Sequence, residues 1–205
     1  SPLYSGPIAL SASTIIRARV FTENDTQFGP VAIAGYLRVE TAGTAALAEF
    51  STALPVVVLD PHGAGEWPND DIDHPAWTAS IRGYSSANFP KKSFNFDLLD
   101  GAGRDNPQPL LGLAAAKDWA LVSPWSYDRA YVRNAFVYAL GASLGRWAPK
   151  TKFVELFHNT GGDVLDQTDY RGISVLTERI KVAPARVNLT PLAIDDLGAA
   201  EITGG

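Results

Sequence analysis

Between Ile81 and Phe94 the chain reads Ile81-Arg82-Gly83-Tyr84-Ser85-Ser86-Ala87-Asn88-Phe89-Pro90-Lys91-Lys92-Ser93-Phe94, which gathers a guanidinium, a glycine, two adjacent hydroxyls and two adjacent ammonium groups. These are groups that can hold an anion. Gly83 has no Cβ to keep a ligand off the backbone, Ser85 and Ser86 add hydroxyl and backbone donors for phosphate oxygens, and Lys91 or Lys92 supplies a point charge. Successive side chains of a regular strand point to opposite faces, so only one of the two lysines can face such a site, with Lys92 slightly favoured. The competing reading of a Lys-Lys pair after proline is the charged, solvated edge of a hairpin.

Other candidate groups are more scattered. Arg133 stands beside an apolar stripe at Val132 and Phe136, where it either reaches inward to a carboxylate or phosphate or lies along the surface with its stem packed. Asn69-Asp70-Asp71-Ile72-Asp73-His74 is dense in oxygen ligands for Ca²⁺ but lacks the Gly-containing spacing of an EF-hand, and a solvated loop is the commoner use of such a stretch. His62, His74 and His158 are isolated, and no Ser-His-Asp order with a nucleophile elbow can be drawn. Gly101-Ala102-Gly103 lies between a strand and a Pro-rich loop and opens no helix, so it is not a dinucleotide fingerprint. Trp125, Tyr127 and Tyr131 can form a sugar or protein contact, although core or rim packing is the commoner role.

The elements that position these groups follow from the hydrophobic pattern. Thr78 to Arg82 and Ser93 to Leu98 both alternate around Ala87-Asn88-Phe89-Pro90, which predicts a hairpin whose polar tip holds the serines. Leu54 to Asp60 is a short apolar run ended by Asp-Pro-His-Gly, a buried strand, followed by an acidic loop over Pro68 to His74. Lys117 to Val122 is a further strand. A helix is expected from Tyr127 to Leu144, with Ser126 as N-cap, Asp128 in the first turn and Gly145 as the stop. Strands at Phe153 to Phe157 and Arg171 to Leu176 are joined through an Asn159 to Asp163 turn. The front of the chain reads as all-β from Ile8 to Glu40, with a turn at Glu23-Asn24-Asp25, and small, weakly patterned residues then mark a linker. The fold class is α+β.

Composition narrows the function classes. At 205 residues and 46% hydrophobic the chain can bury a sizeable core. Without cysteine it has neither disulfides nor thiolate chemistry. A net charge of -5 argues against a nucleic-acid partner, and no apolar run is long enough to span a membrane. Without an initiator Met or a leader, Ser1 is expected not to be the natural start, and the chain reads as an excised fragment.

The Ile81 to Phe94 segment resembles the signature of the CotH kinase family, atypical kinases named for a spore-coat protein. The same order continues through Leu110-Leu111-Gly112-Leu113, Lys117-Asp118-Trp119, Arg133-Asn134, Ala148 to Glu155, Tyr170-Arg171-Gly172 and Leu176 to Lys181, with Tyr84 departing from the usual Asn or Ser. Ser1 to Ile8 and Thr14 to Phe21 are similar to the latter half of the β-sandwich found at the C-terminus of chitobiases. The expected organisation is therefore a partial sandwich over 1–42, a linker over 43–53, and a kinase-like amino-terminal lobe over 54–205.

By analogy with a kinase lobe, the resemblance implies that the hairpin replaces the Gly-rich phosphate loop, making Arg82, Ser85, Ser86, Lys91, Lys92, Arg133 and Glu178 the nucleotide-binding candidates. Glu178, where a hinge would meet ribose or adenine, reads equally well as a surface strand end. The helix offers Asp128 but no Glu to pair with a lysine, so the usual ion pair is missing. The implied cofactors are ATP and Mg²⁺, with the catalytic and metal-binding acids expected beyond Gly205 and the fragment by itself inactive. The implied partner is a coat or surface protein phosphorylated on Ser or Thr, in an extracellular or cell-surface setting. The alternative is a non-catalytic surface adhesin or pseudokinase.

Overall fold

A computed structural model describes residues 5–21, 27–60, 72–74, 77–159 and 164–190. The strands are β1 (Thr14–Phe21), β2 (Gln27–Tyr36), β3 (Arg38–Val39), β4 (Val56–Leu59), β5 (Ile72–His74), β6 (Trp77–Arg82), β7 (Ser93–Leu98), β8 (Asp118–Val122), β9 (Thr151–His158), β10 (Val164–Leu165) and β11 (Tyr170–Glu178), with one helix α1 (Arg133–Ser143) between β8 and β9. The class is α+β, as the sequence implies.

Seven strands form one mixed sheet in the order β4-β9-β11-β8-β7-β6-β5, in which only β4 and β9 run parallel. β1 and β2 pair as a separate antiparallel ribbon, and the short β3 and β10 pair in parallel. Alternation puts Phe94 and Phe96 of β7, Trp119 and Leu121 of β8, Val154 and Leu156 of β9 and Leu176 of β11 on one face, where they form the core with Leu59, Ala79 and Leu113. Trp119 is wholly buried, and its indole N–H donates to the Ala116 carbonyl at 3.0 Å, so the ring enters the core with its polar atom satisfied. The opposite face is more polar. It carries Asn95, Asp97 and Asp118, and Glu155 of β9 lies on it by register through Ala120, Thr177 and Val175.

The hairpin and the strands at β4, β8, β9 and β11 stand where the pattern puts them, but β4 is an edge strand and not the buried one expected, with Val56 exposed and Leu59 alone of its residues buried. Three further features differ. Ile8 to Leu10 form no strand. Residues 72–74 close the expected acidic loop as an edge strand, pairing Ile72 with Ala79 and His74 with Trp77. The helix starts at Arg133, six residues later than Tyr127, because Tyr131 takes a left-handed φ of 58° that no α-helix admits. Ser126 therefore caps nothing on α1. Val132 at the N-cap has no side-chain acceptor, and Asp128 Oδ2 instead accepts the Arg133 backbone N–H at 3.0 Å. Gly145 ends the helix as expected, at φ 75° and with its N–H on the Ala142 carbonyl. No residue of α1 is buried, and Phe136 is 64% exposed, so the amphipathic stripe covers no core among the described residues. The Glu23 to Asp25 turn and residues 160–163 of the Asn159 to Asp163 turn lie outside the described residues.

The stretch between β3 and β4 packs on the large sheet. Phe50 meets Phe157 and Tyr170 edge-on at 5.1 and 5.7 Å between ring centroids, and the Gln167 N–H bonds the Ala45 carbonyl. Among the described residues no helix is long and apolar enough to cross a membrane.

Candidate functional site

The β6–β7 hairpin carries the anion-binding candidates at its tip. Gly83 leaves β6 at φ 105°, and a Cβ there would fall 2.0 Å from Ser86 Oγ, so only glycine gives this turn without strain. The chain then winds through a short 3₁₀ turn over Ser85–Asn88, closed by the Phe89 N–H on the Ser86 carbonyl at 3.1 Å. Arg82, Tyr84 and Ser85 are exposed at this tip and Ser86 is half-buried. Tyr84, the departure from the family pattern, is 99% exposed and constrains the turn little.

The two lysines part company at once. Lys92 Nζ donates to the Ala87 carbonyl and closes the tip on itself. Lys91 crosses to β11, where its Nζ donates to the Ile173 carbonyl and lies 4.3 Å from the centre of the Tyr131 ring. Gly172 borders it at φ 77°, beside a bulge between Tyr170 and Gly172, and a Cβ there would sit 3.7 Å from Lys91 Nζ, an ordinary contact distance. Burial pulls the Lys91 ammonium down from 10.5 to about 8, against the opposing pull of the Glu155 carboxylate.

Glu155 lies opposite Ile173 in the register and is buried. Its Oε1 accepts the Thr52 hydroxyl at 2.9 Å and its Oε2 the Tyr170 hydroxyl at 2.6 Å. Burial, the hydrogen bond to Glu155 and the charge of that carboxylate push the Tyr170 hydroxyl up to about 12, so it stays a donor at neutral pH. None of Thr52, Glu155 and Tyr170 stands out in the sequence as a site residue, and Tyr131 reads there as a sugar or protein contact or as core or rim packing. The available signal is Glu155 itself, a charge in the middle of the apolar run Phe153-Val154-Glu155-Leu156-Phe157.

Arg133 and Glu178 are placed otherwise. The Arg133 side chain is 72% exposed, with Nε 3.9 Å from the buried carboxylate of Asp128. Glu178 is buried, and its Oε2 accepts the Lys150 backbone N–H at 2.9 Å, tying the end of β11 to the start of β9. A cleft of about 190 Å³ opens on the polar face of β6 and β7, lined by Thr78, Ser80, Asn95, Asp97 and Arg179. Next to it Asp118 pairs with Lys181 at 2.5 Å and with Arg186 at 3.1 Å, and Arg186 also donates to the carbonyls of Arg179 and Asp118. Burial would push the Asp118 carboxyl up, but the Lys181 hydrogen bond and the two cationic charges outweigh it and hold the carboxyl low.

Among the described residues no group of three or more His, Cys, Asp or Glu could hold a metal ion, so the residues in view do not fit a Mg²⁺ site. His62 and residues 69–71 of the acidic stretch fall outside the described residues. His158 is buried 5.5 Å from the Phe94 ring, and burial, aided by the charge of Arg171, pulls its imidazole down to about 4.

The sequence family model described as CotH kinase protein matches residues 79–193, from β6 past the Asp118 ion pairs. No curated protein and no solved structure matches the chain. The match takes in the hairpin, both lysines, α1, Glu155 and β11 and spans more than half of the 205 residues, so the chain belongs to the CotH kinase protein family.

Proposed function

We propose that this chain is the nucleotide-facing part of a CotH-type protein kinase, which takes the phosphates of ATP on the β6–β7 hairpin and serves phosphoryl transfer to Ser or Thr of a coat or surface protein. The observation that carries this reading is the course of Lys91. It leaves a glycine-hinged, serine-bearing tip, where Arg82 and Ser85 are exposed, and delivers a half-buried ammonium to a carbonyl of β11. A partly desolvated cation attracts phosphate oxygens more strongly than one in bulk water. On this reading Lys91 is the phosphate charge and Lys92 the structural one. ATP is the cofactor, Mg²⁺ is expected with it, and no described residue is assigned to the metal. An exported setting rests on the likeness of the front segment to a chitobiase-type spacer.

A second reading, a surface adhesin or pseudokinase, is favoured by one observation: the Glu178 carboxylate faces the Lys150 backbone instead of an open hinge. Calorimetric titration with ATP separates the two readings. The kinase reading expects saturable binding that weakens about tenfold or more in Lys91→Ala and changes little in Lys92→Ala, the loss of one charge-assisted contact. Folded wild type that gives no heat with ATP, or a Lys91→Ala variant that binds as the wild type does, would overturn it.

A further inference from the structure

The helix that follows β8 contains no acid, and Asp128, five residues before it, accepts the Arg133 N–H that opens it. The carboxylate comes from elsewhere. Around the Lys91 amine stand the Ile173 carbonyl and Gly172 of β11, the Tyr131 ring from the segment leading into α1, and Glu155 of β9, the register partner of the very Ile173 whose carbonyl Lys91 reaches, with a charge that opposes the effect of burial. Tyr170 is the other titratable group here, and its hydroxyl donates to Glu155. Lys92, the adjacent cation, turns the other way to the Ala87 carbonyl.

We propose that Glu155 is a positioning residue that holds the Lys91 ammonium at the β11 edge, supplying from a strand the acid that α1 lacks, and that Thr52 and Tyr170 fix the carboxylate for that purpose. Two donors on two different oxygens, at 2.9 and 2.6 Å, leave the Glu155 carboxylate little freedom to rotate. Phe50 packs against Tyr170, so both Phe50 and Thr52 bear on this carboxylate although they precede the family match at residue 79. The segment before β4 therefore belongs to the lysine site. The value of this pair for phosphate binding rests on the reading of Lys91 given above, whereas the pair itself does not.

Two measurements on the full chain test it. With lysine labelled at Cε, the Lys91 resonance is followed against pH by NMR. In Glu155→Gln the midpoint moves down, leaving roughly threefold more free amine at pH 7, and Glu155→Asp recovers part of the shift. Tyr170→Phe removes one of the two donors that fix the carboxylate, is expected to move the Lys91 midpoint as well, and keeps the test open if the glutamine variant fails to fold. ATP binding is then measured against pH. It is expected to fall as pH rises through the Lys91 midpoint, with this alkaline limb displaced to lower pH in Glu155→Gln. A Lys91 midpoint unchanged in Glu155→Gln, or unchanged in Tyr170→Phe where the glutamine variant does not fold, overturns the inference. Shifted midpoints in a wild type that binds no ATP at any pH uphold the pair and overturn the nucleotide reading instead.

Discussion

Asp118 and Glu155 are both buried carboxylates on the same face of one sheet, yet their charges are met in different ways. Asp118 has a lysine at 2.5 Å and an arginine at 3.1 Å, and Arg186 goes on to bind two carbonyls, so the segment after β11 is fastened to the strand beneath it. Glu155 has two neutral donors in contact and a single half-buried lysine beyond them. A carboxylate that two cations engage directly, one of them also bound to two carbonyls, is a structural clamp. A partly desolvated lysine is the arrangement expected of a binding group.

Substitutions can break that contrast. Asp118→Ala leaves Lys181 and the buried Arg186 without their acid and is expected to cost about 3–5 kcal/mol in denaturant unfolding. Next comes the acid limb of stability. The His158 imidazole titrates at about 4 in the folded chain against 6.5 for the free group, so the unfolded state binds the extra proton first. Stability is therefore full above pH 6.5 and is lost as pH falls from 6.5 towards 4, and this limb flattens in His158→Phe when melting temperature is followed against pH. Gly83→Val forces a β-branched residue into φ 105° against Ser86 and should cost about 1–3 kcal/mol, together with any ATP affinity of the hairpin. Glu155→Gln keeps one acceptor oxygen for its neighbours and should cost only about 1 kcal/mol, well below Asp118→Ala. Phe136→Ser, on the exposed face of α1, should fall within about 0.5 kcal/mol of wild type.

The same contrast shows what the sequence could disclose. Alternation in Thr78 to Arg82 and Ser93 to Leu98 names strands and their faces, because a period of two survives without knowledge of partners. In α1 the periodic stripe is real, but Tyr131 in a left-handed conformation shortens the helix and nothing among the described residues covers Phe136 or Leu144, which periodicity cannot foresee. The β3–β10 pair joins two-residue segments far apart in sequence, too short to leave a pattern. For the lysines, alternation says that Lys91 and Lys92 diverge without saying which one meets β11. Lys91 reaches the Ile173 carbonyl beside the bulge between Tyr170 and Gly172, whereas Lys92, slightly favoured on sequence, donates to a carbonyl within its own turn. Glu155 was legible only as an anomaly, since its meaning comes from Thr52 and Tyr170, residues 103 and 15 positions away.

The central claim is that the hairpin tip and Lys91 together hold phosphate. Mapping ATP onto the chain by backbone amide and lysine NMR tests it most directly. The account predicts saturable shifts at Gly83, Ser85, Ser86 and Lys91, with Lys92 and the exposed face of α1 unmoved. Saturable shifts confined to α1, or a hairpin silent at millimolar ATP, would contradict it.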